Sequence, residues 1–245
     1  MSAEAYLDAC EAGLARLRAE QMDNIRAAAA LLAETIAEGR TVFAFGASHS
    51  FMLPMELCYR TGGLMLINPI YPHGMDLGVR PVPMTSQIER VADYGRVLLE
   101  GSPAAEGDAL LIASTSGRNA VVIDMALAAR ERGISTIGVT SVEYSSSVPS
   151  RHPSGKRMLE LCDIVVDNCA PLGDAAVAVP GVEQKTGPLS SVLGCAVVNA
   201  IACETIAELV ARGVRPPVYI SANMPGGDEH NARLLAENAD RIHYM

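Results

Sequence analysis

Short apolar runs alternate along this chain with longer stretches in which apolar residues recur at helical spacing. Apolar runs of this length are typical of buried strands, and a period near 3.6 residues is typical of helices that bury one face. The pattern predicts strands at residues 41–45, 64–68, 108–113, 135–140 and 163–167. It predicts helices at residues 3–39, 51–61, 88–100, 120–132, 155–161 and 189–212. A strand-like segment at residues 218–221 and a last short helix follow.

Three segments between these elements show neither period and are predicted to be irregular. They lie at residues 69–87, 141–150 and 168–188. The first is rich in proline and glycine, and a connection that long inside a compact domain is uncommon unless it is functional or disordered. The third carries a polar cluster of Asp167, Asn168 and Asp174 at its start.

The regular alternation of strands and helices predicts an α/β fold with a parallel sheet and helices on both faces. We expect a three-layer α-β-α sandwich with a five-stranded sheet in the common doubly wound order 2-1-3-4-5. Residues 1–245 are predicted to form one domain. Within it, residues 1–39 form an N-terminal helical segment, residues 40–212 form the core, and residues 213–245 form a tail that contributes to the site or to an interface.

Two of the predicted strands end in serine-rich turns that lead directly into helices. Residues 46–50 read Gly-Ala-Ser-His-Ser, and residues 114–119 read Ser-Thr-Ser-Gly-Arg-Asn. Such a turn aims backbone N–H groups and the positive end of a helix dipole at one spot, which favours phosphate, although an ordinary helix N-cap is the alternative. Because both turns leave strands that flank the switch point of the sheet, we expect them to share one crevice. The side chains predicted to converge there are Ser48, Ser50, Ser114, Ser116 and Asn119.

The composition excludes several other classes of function. The net charge is −9 and no basic patch is present, so we expect no nucleic-acid partner. No apolar segment runs uninterrupted for the length of a bilayer, so we expect a cytoplasmic protein with no membrane partner. The first turn lacks two glycines of the dinucleotide fingerprint, and the cysteine spacings fit neither a disulfide framework nor a zinc site. We therefore predict no cofactor and no metal.

The residues of the two turns resemble those of the SIS (sugar isomerase) domain family, which comprises phosphosugar isomerases, phosphosugar lyases and phosphosugar-sensing regulators. The resemblance spans about residues 3–212 and includes an S-x-S-G-x-[T/S] motif at residues 114–119, with Asn119 at the Thr position. It implies the flavodoxin-like SIS fold, a sugar phosphate as the small-molecule partner, and a homodimer or homotetramer with the site at the subunit interface. It assigns the substrate phosphate to Ser48, Ser50, Ser114, Thr115, Ser116 and Asn119. Residues 152–156, 167–174 and 223–231 resemble a little-characterised bacterial branch of the family.

The chemistry implied by this resemblance begins at C2 of an open-chain aldose or aminosugar 6-phosphate, most plausibly N-acetylglucosamine 6-phosphate. A positioned base removes the C2 proton while donors hold the developing enediolate oxygen. Return of the proton at C1 is isomerisation, and loss of the C3 oxygen is a dehydratase or etherase reaction. The alternative function is a sensor that binds a phosphosugar without turning it over.

Three glutamates are candidates for the base. Several enzymes of the family place Glu ten residues beyond the second serine of the first turn, where this chain has Arg60. Glu56 lies one helical turn earlier and is either a substitute or a surface partner of Arg60. Glu89 follows the first irregular segment and is favoured; the alternative is a carboxylate that complements a helix dipole. Glu204, in an apolar helix, is paired, at a helix edge, or functional.

Two histidines are further candidates. His49 lies inside the first turn, where it is predicted either to contact the substrate or to cap the turn. His230 follows a glycine pair and is predicted to shuttle a proton, in a site completed by a neighbouring subunit, because an unperturbed imidazole titrates near pH 6.5. His73, His152 and His243 are expected to be loop or surface residues, and Lys156 a solvated lysine. Neither His73 with Asp76 nor Asp228 with His230 has the spacing of a metal site.

Overall fold

The computed structural model describes residues 2–245, and its central feature is a five-stranded parallel sheet of order β2-β1-β3-β4-β5. This is the predicted order, so the α/β fold and its topology are confirmed. The strands are β1 (Val42–Gly46), β2 (Ile67–Ile70), β3 (Ala109–Ala113), β4 (Ser135–Thr140) and β5 (Ile164–Asp167). A separate antiparallel pair joins β6 (Ala175–Val177) to β7 (Thr186–Pro188).

Helices cover both faces of the sheet. The helices are α1 (Ser2–Glu20), α2 (Met22–Ala37), α3 (Met52–Leu57), α4 (Met84–Ile88), α5 (Tyr94–Glu100), α6 (Ala120–Glu131), α7 (Val142–Ser147), α8 (Ser190–Ala211) and α9 (Gly227–Glu237). Alternate residues of the central strands bury on opposite sides, because parallel strands covered on both faces are apolar throughout. In β3, Leu111 packs with α2, α3 and α8, whereas Leu110 and Ile112 pack with α5 and α6.

Several helix boundaries differ from the prediction, one because of a contact distant in sequence and two where a residue adopts a left-handed backbone conformation. The helix expected at residues 3–39 breaks at Gln21, whose buried side chain accepts a hydrogen bond from the backbone N–H of Asp167. The helix expected at 88–100 is α4 followed by α5, with Asp93 between them in the left-handed region at a φ of 67°. The helix expected at 51–61 ends at Leu57, since Tyr59 has a φ of 48°.

The three irregular segments contain short regular elements that neither period reveals. Residues 69–87 include the start of α4, residues 141–150 include α7, and residues 168–188 include β6 and β7. The helix expected at 155–161 is one 3-10 turn, Met158–Glu160. The strand expected at 64–68 is shifted to Ile67–Ile70, because Leu64 pairs instead with Val218 of the tail.

The tail closes the β2 edge of the sheet. The buried Asn68 side chain donates to the carbonyl of Arg241 at 3.0 Å and accepts from the N–H of His243 at 2.7 Å. The ring of His243 stacks on Phe43 at a centroid distance of 5.9 Å. His243 is exposed and lies outside the helices and strands, as expected for a loop or surface residue, and its ring also contacts Phe43.

The helix α8 corrects one expectation about apolar segments. By length and composition it is apolar enough to cross a membrane, although the sequence pattern suggested that no segment was. In the structure its Leu193, Val197 and Ile201 side chains are buried against the sheet layer. A core helix of a soluble protein has the same length and composition, and α8 packs as one.

Candidate functional site

The carboxyl ends of β1 and β3 open into a polar pocket of about 260 Å³. Both serine turns line it, together with residues from α7 and from the loop before β6. A smaller recess of about 10 Å³, room for about one water, shares Ser50 and Ser114 with this pocket. The pocket is lined by Ala47, Ser48, His49, Ser50, Glu89, Ser114, Thr115, Ser116, Asn119, Tyr144, Gly173 and Asp174. The structure thus brings every side chain predicted for phosphate, and Glu89, to one hollow.

The first turn is tight because glycine begins it. A Cβ on Gly46 would lie 2.4 Å from the carbonyl oxygen of Ser50, so no other residue fits without a shift of the backbone. Ser48 occupies the left-handed region at a φ of 51°, and its N–H donates to the carbonyl of Met75 at 2.7 Å. Such a conformation in a residue other than glycine is uncommon and is held by its surroundings. It aims the Ser48 hydroxyl across the pocket.

Glu89 connects the two serine turns. One carboxylate oxygen accepts the Ser48 hydroxyl at 2.5 Å, and the other accepts the Asn119 side-chain amide at 2.8 Å. The backbone carbonyl of Glu89 also accepts the N–H of Val121, in the first turn of α6, at 3.1 Å. Glu89 is thereby fixed by both its side chain and its backbone. Its side chain lines the pocket between the two turns.

Arg151 continues this chain of hydrogen bonds and was not predicted from the sequence. Its guanidinium donates to the side-chain oxygen of Asn119 at 3.0 Å, and its backbone N–H donates to the carbonyl of Arg118 at 2.8 Å. Burial lowers the pKa of Arg151, and repulsion from Arg118 and Arg90 lowers it further, whereas Tyr144 and Glu89 act in the opposite direction. Arg151 therefore adds positive charge beside this polar pocket, although the chain as a whole is acidic.

A buried contact holds the loop that carries Arg151. The imidazole Nε2 of His152 lies 2.9 Å from a carboxylate oxygen of Asp124 in α6, and both side chains are largely buried. Burial raises the pKa of Asp124, and the hydrogen bond with His152 acts against that rise. His152 lies in a loop, as expected, and its side chain is largely buried against Asp124. Its contact anchors the loop on the helix that begins at Asn119.

The amino end of α8 forms another wall of the site. In the sequence, only the polar cluster of Asp167, Asn168 and Asp174 indicated this wall. Asp174 accepts the N–H groups of Leu189 and Ser190 and the Ser190 hydroxyl, the last at 2.7 Å. Ser190 and Ser191 line the small recess beside Asn168. Asp167 lies outside the pocket, where it caps α7 through the N–H of Val142. The cluster thus contributes to the site mainly through Asn168 and Asp174.

The other candidate acids and the second histidine lie elsewhere in this chain. Glu56 contacts Arg60 at 3.1 Å and accepts the Asn199 amide at 3.0 Å, as expected for a structural pair. Glu204 is half-buried, about 20 Å along α8 from Ser190 at the rise of a helix. His230 lies 3.3 Å from the carbonyl of Val218, beside the segment that pairs ahead of β2, at the opposite end of the sheet.

The remaining candidates form no further site. Lys156 is exposed and lies outside the pocket. Asp76 accepts the N–H of Gly78, and the carbonyl of His73 accepts the Tyr94 hydroxyl. Across residues 2–245 no group of three or more His, Cys, Asp or Glu side chains is placed to hold a metal ion.

Comparison with known proteins places this pocket in a family. The SIS domain matches residues 5–141, which include both serine turns and Glu89. The chain belongs to the SIS domain family. Among SIS relatives, a UPF0309 protein of Shouchella clausii is 41% identical over 244 residues, covering 98% of this chain and 99% of the relative. A UPF0309 protein of Streptomyces griseus is 42% identical, covering 98% of this chain and 96% of the relative.

Solved SIS-type structures share the fold. A phosphoheptose isomerase from Neisseria gonorrhoeae matches with a TM-score of 0.54 at 15% identity, covering 84% of this chain and 97% of that one. A phosphoheptose isomerase from Francisella tularensis matches with a TM-score of 0.53 at 13% identity, covering 82% of this chain and 95% of that one. At such identities the likeness establishes the architecture, and the assignment of chemistry depends on the pocket itself.

Proposed function

We propose that this SIS protein is an enzyme that removes the C2 proton of an open-chain aldose or aminosugar 6-phosphate. The observation that carries this proposal is the position of Glu89, a carboxylate bonded at 2.5 Å and 2.8 Å to side chains of the two serine turns. A base at this place lies within one sugar length of a phosphate held by those turns. N-acetylglucosamine 6-phosphate is our first choice of substrate.

The phosphate lies against the serine hydroxyls and two helix starts. Ser50 and Ser114 line both the pocket and its recess, and Ser190 and Ser191 add hydroxyls at the amino end of α8. α6 and α8 are long enough to present a dipole, and neutral donors suit an anion that the overall acidic charge would otherwise repel. The turns and helix starts therefore supply the local attraction that the whole molecule lacks.

The proton transfer follows from the hydrogen bonds of Glu89. The carboxylate takes the C2 proton, and the electrons of the broken C–H bond form the enediolate with charge on O1. As Glu89 becomes neutral it accepts hydrogen bonds less strongly, so the Ser48 hydroxyl and the Asn119 amide are released to the developing oxyanion. Glu89 then returns the proton at C1 while the C2 hydroxyl proton passes to O1, which completes isomerisation of an aldose. Alternatively, Glu89 protonates the departing C3 oxygen as the C1 carbonyl re-forms, which eliminates water from an aldose or an aminosugar.

The decisive experiment follows deuterium uptake at C2 in heavy water. Hexose, heptose and aminosugar phosphates are incubated with the protein and read by mass spectrometry and NMR. Glu89→Gln is expected to slow exchange by about 100-fold or more, since general-base catalysis contributes on the order of 10²–10⁴. Glu56→Gln is the matched control, because Glu56 pairs with Arg60 away from the pocket, and its exchange rate is expected to stay within about twofold of wild type.

Each outcome of this panel assigns a function. In a parallel incubation in ordinary water, product of unchanged mass indicates isomerisation, and loss of one water indicates elimination. Thermal stabilisation by a sugar phosphate without exchange at C2 would contradict the proposal and indicate a sensor. Exchange that survives Glu89→Gln would remove Glu89 from the mechanism.

A further inference from the structure

Three arginines lie together at the rim of the pocket. Arg151 contacts Asn119 at 3.0 Å, its backbone joins it to Arg118, and its pKa is lowered in part by Arg118 and Arg90. The three come from separate places: Arg151 from the loop after α7, Arg118 from the turn before α6, and Arg90 from the position after Glu89. The fold therefore gathers them, although like charges repel.

The arginines of the described residues fall into two groups, those with a carboxylate within 4 Å and those without. Besides the three in the cluster, the second group includes Arg18, Arg40, Arg80, Arg130, Arg132, Arg215 and Arg241. Arg16, Arg60, Arg96, Arg157, Arg212 and Arg233 each lie within 4 Å of a carboxylate. Between residues 2 and 245, no carboxylate lies within that distance of Arg90, Arg118 or Arg151.

Arg118 adds a second observation. Its Nε is buried and has no hydrogen-bond partner among the described residues. A buried donor without a partner costs free energy, so such groups usually mark the place of a ligand or an ordered solvent molecule. Arg151 is joined to Arg118 through the backbone at 2.8 Å, so an anion is the partner that would suit both guanidinium groups.

We propose that Arg90, Arg118 and Arg151 bind a second anionic group of the substrate, a carboxylate or a second phosphate. This inference rests on the proposed function and narrows its substrate class to sugar phosphates that carry two anionic groups. Arginine suits this role because its planar donors pair with carboxylate and phosphate oxygens alike. N-acetylglucosamine 6-phosphate itself lacks such a group and would be bound more weakly than a doubly anionic relative.

The hydrogen-bond chain separates this cluster from the first serine turn. Ser48 bonds to one oxygen of Glu89, and Asn119 bonds to the other and then to Arg151. The Glu89 carboxylate therefore stands between Ser48 and the cluster. A phosphate at the turns and a second anion at the cluster would lie on either side of the base, with the reactive carbons between them.

Matched ligand pairs test this inference by calorimetry. Fructose 1,6-bisphosphate is compared with fructose 6-phosphate, and 6-phosphogluconate with sorbitol 6-phosphate, which lacks its carboxylate. We expect at least one doubly anionic ligand to bind about 10-fold more tightly than its partner, as for a hydrogen bond to a charged group. The first pair reports on a second phosphate, and the second pair reports on a carboxylate.

Variants then locate the preference. Arg118→Gln and Arg90→Gln are expected to reduce the ratio of the two affinities several-fold, whereas Arg130→Gln is expected to leave it unchanged, because Arg130 is exposed near the far end of α6. Circular dichroism checks that each variant is folded.

The outcomes separate this inference from the proposed function. If the monophosphates bind and the doubly anionic ligands bind no better, the second subsite is wrong and the proposed function stands. If both ligands of a pair weaken equally in Arg118→Gln, the arginine has only a structural role and the inference fails. If no sugar phosphate binds the wild-type protein, both proposals fall.

Discussion

Individual side chains show how burial sets reactivity in this protein. Burial raises the pKa of the Cys162 thiol to about 12, with a smaller contribution from Asp163. Burial and then Asp167 raise the pKa of Cys169 to about 11. Neither thiol lies in the pocket, and all six cysteines are free. These two thiols are expected to react slowly, because the thiolate is the reactive form.

Alkylation by iodoacetamide tests these two thiols. At pH 8 a thiol with a pKa of about 12 is ionised to only about one part in 10⁴, so Cys162 is expected to react far more slowly in the folded protein than in urea. The measurement is peptide mass spectrometry over time, with the urea-unfolded chain as control. Equal rates in both states would contradict the burial.

The same shifts predict the behaviour of stability at high pH. Because the folded-state values lie above the ordinary value of 9.0, these thiols contribute fully to stability below about pH 9. The contribution is lost as pH rises from there towards about 12, since the unfolded chain releases these protons first.

At the scale of elements, the crossing of α5 and α6 holds Glu89 in place. Gly95 makes this crossing possible, because a Cβ there would lie 2.0 Å from the carbonyl oxygen of Val121 and 2.8 Å from the Cβ of Asp124. The N–H of that same Val121 donates to the Glu89 carbonyl. The packing of two helices and the position of the proposed base therefore depend on the same residue, Val121.

Gly95→Ala is expected to separate α5 from α6 and to destabilise the protein by about 1–3 kcal/mol or more, the usual cost of overpacking. The shift would also move Glu89, so C2 exchange is expected to fall even in the folded fraction. Urea unfolding and the exchange assay measure the two effects. Val97→Ala, on the exposed side of α5, is the control and is expected to change stability by less than about 0.5 kcal/mol.

The strands and their order were predictable because strands buried on both faces leave a local signal, a run of apolar residues. The serine turns were predictable for the same reason, since each lies within a few residues of its strand. The break at Gln21 depends on Asp167, far along the chain, so no local pattern reveals it. The role of Arg151 was not predicted for the same reason, because its contact with Asn119 joins two loops that are 32 residues apart in sequence.

At the scale of the whole molecule, the surface formed by α3 and α8 exposes several apolar side chains. Met52 and Met55 of α3 and Val192 of α8 are each 42–46% exposed. α3 and α8 are packed together there, with Glu56 bonded to Asn199. Met52 lies one turn before Glu56, and Val192 lies two turns before Asn199, so these side chains belong to one surface. A second copy of the chain is the occupant that we predicted from the resemblance to SIS proteins.

Sedimentation analysis tests this prediction. The wild-type protein is expected to sediment as a dimer or tetramer, and Val192→Lys is expected to shift it towards the monomer by placing charge in an apolar interface. Val97→Lys is the matched control, because Val97 is 58% exposed on the opposite helical layer, and it is expected to leave the assembly intact. A monomeric wild type at micromolar concentration would show the prediction to be wrong.

The hydrogen bond between Ser48 and Glu89 affects which anions the pocket would bind. A free phosphate ion at the Ser48 hydroxyl would lie next to the Glu89 carboxylate, which accepts that hydroxyl's hydrogen bond. The phosphate would take this donor from Glu89 and would supply no donor to replace it. A sugar phosphate carries hydroxyl groups that can replace the lost donor. If the proposed function holds, the pocket is expected to bind inorganic phosphate more weakly than a sugar phosphate.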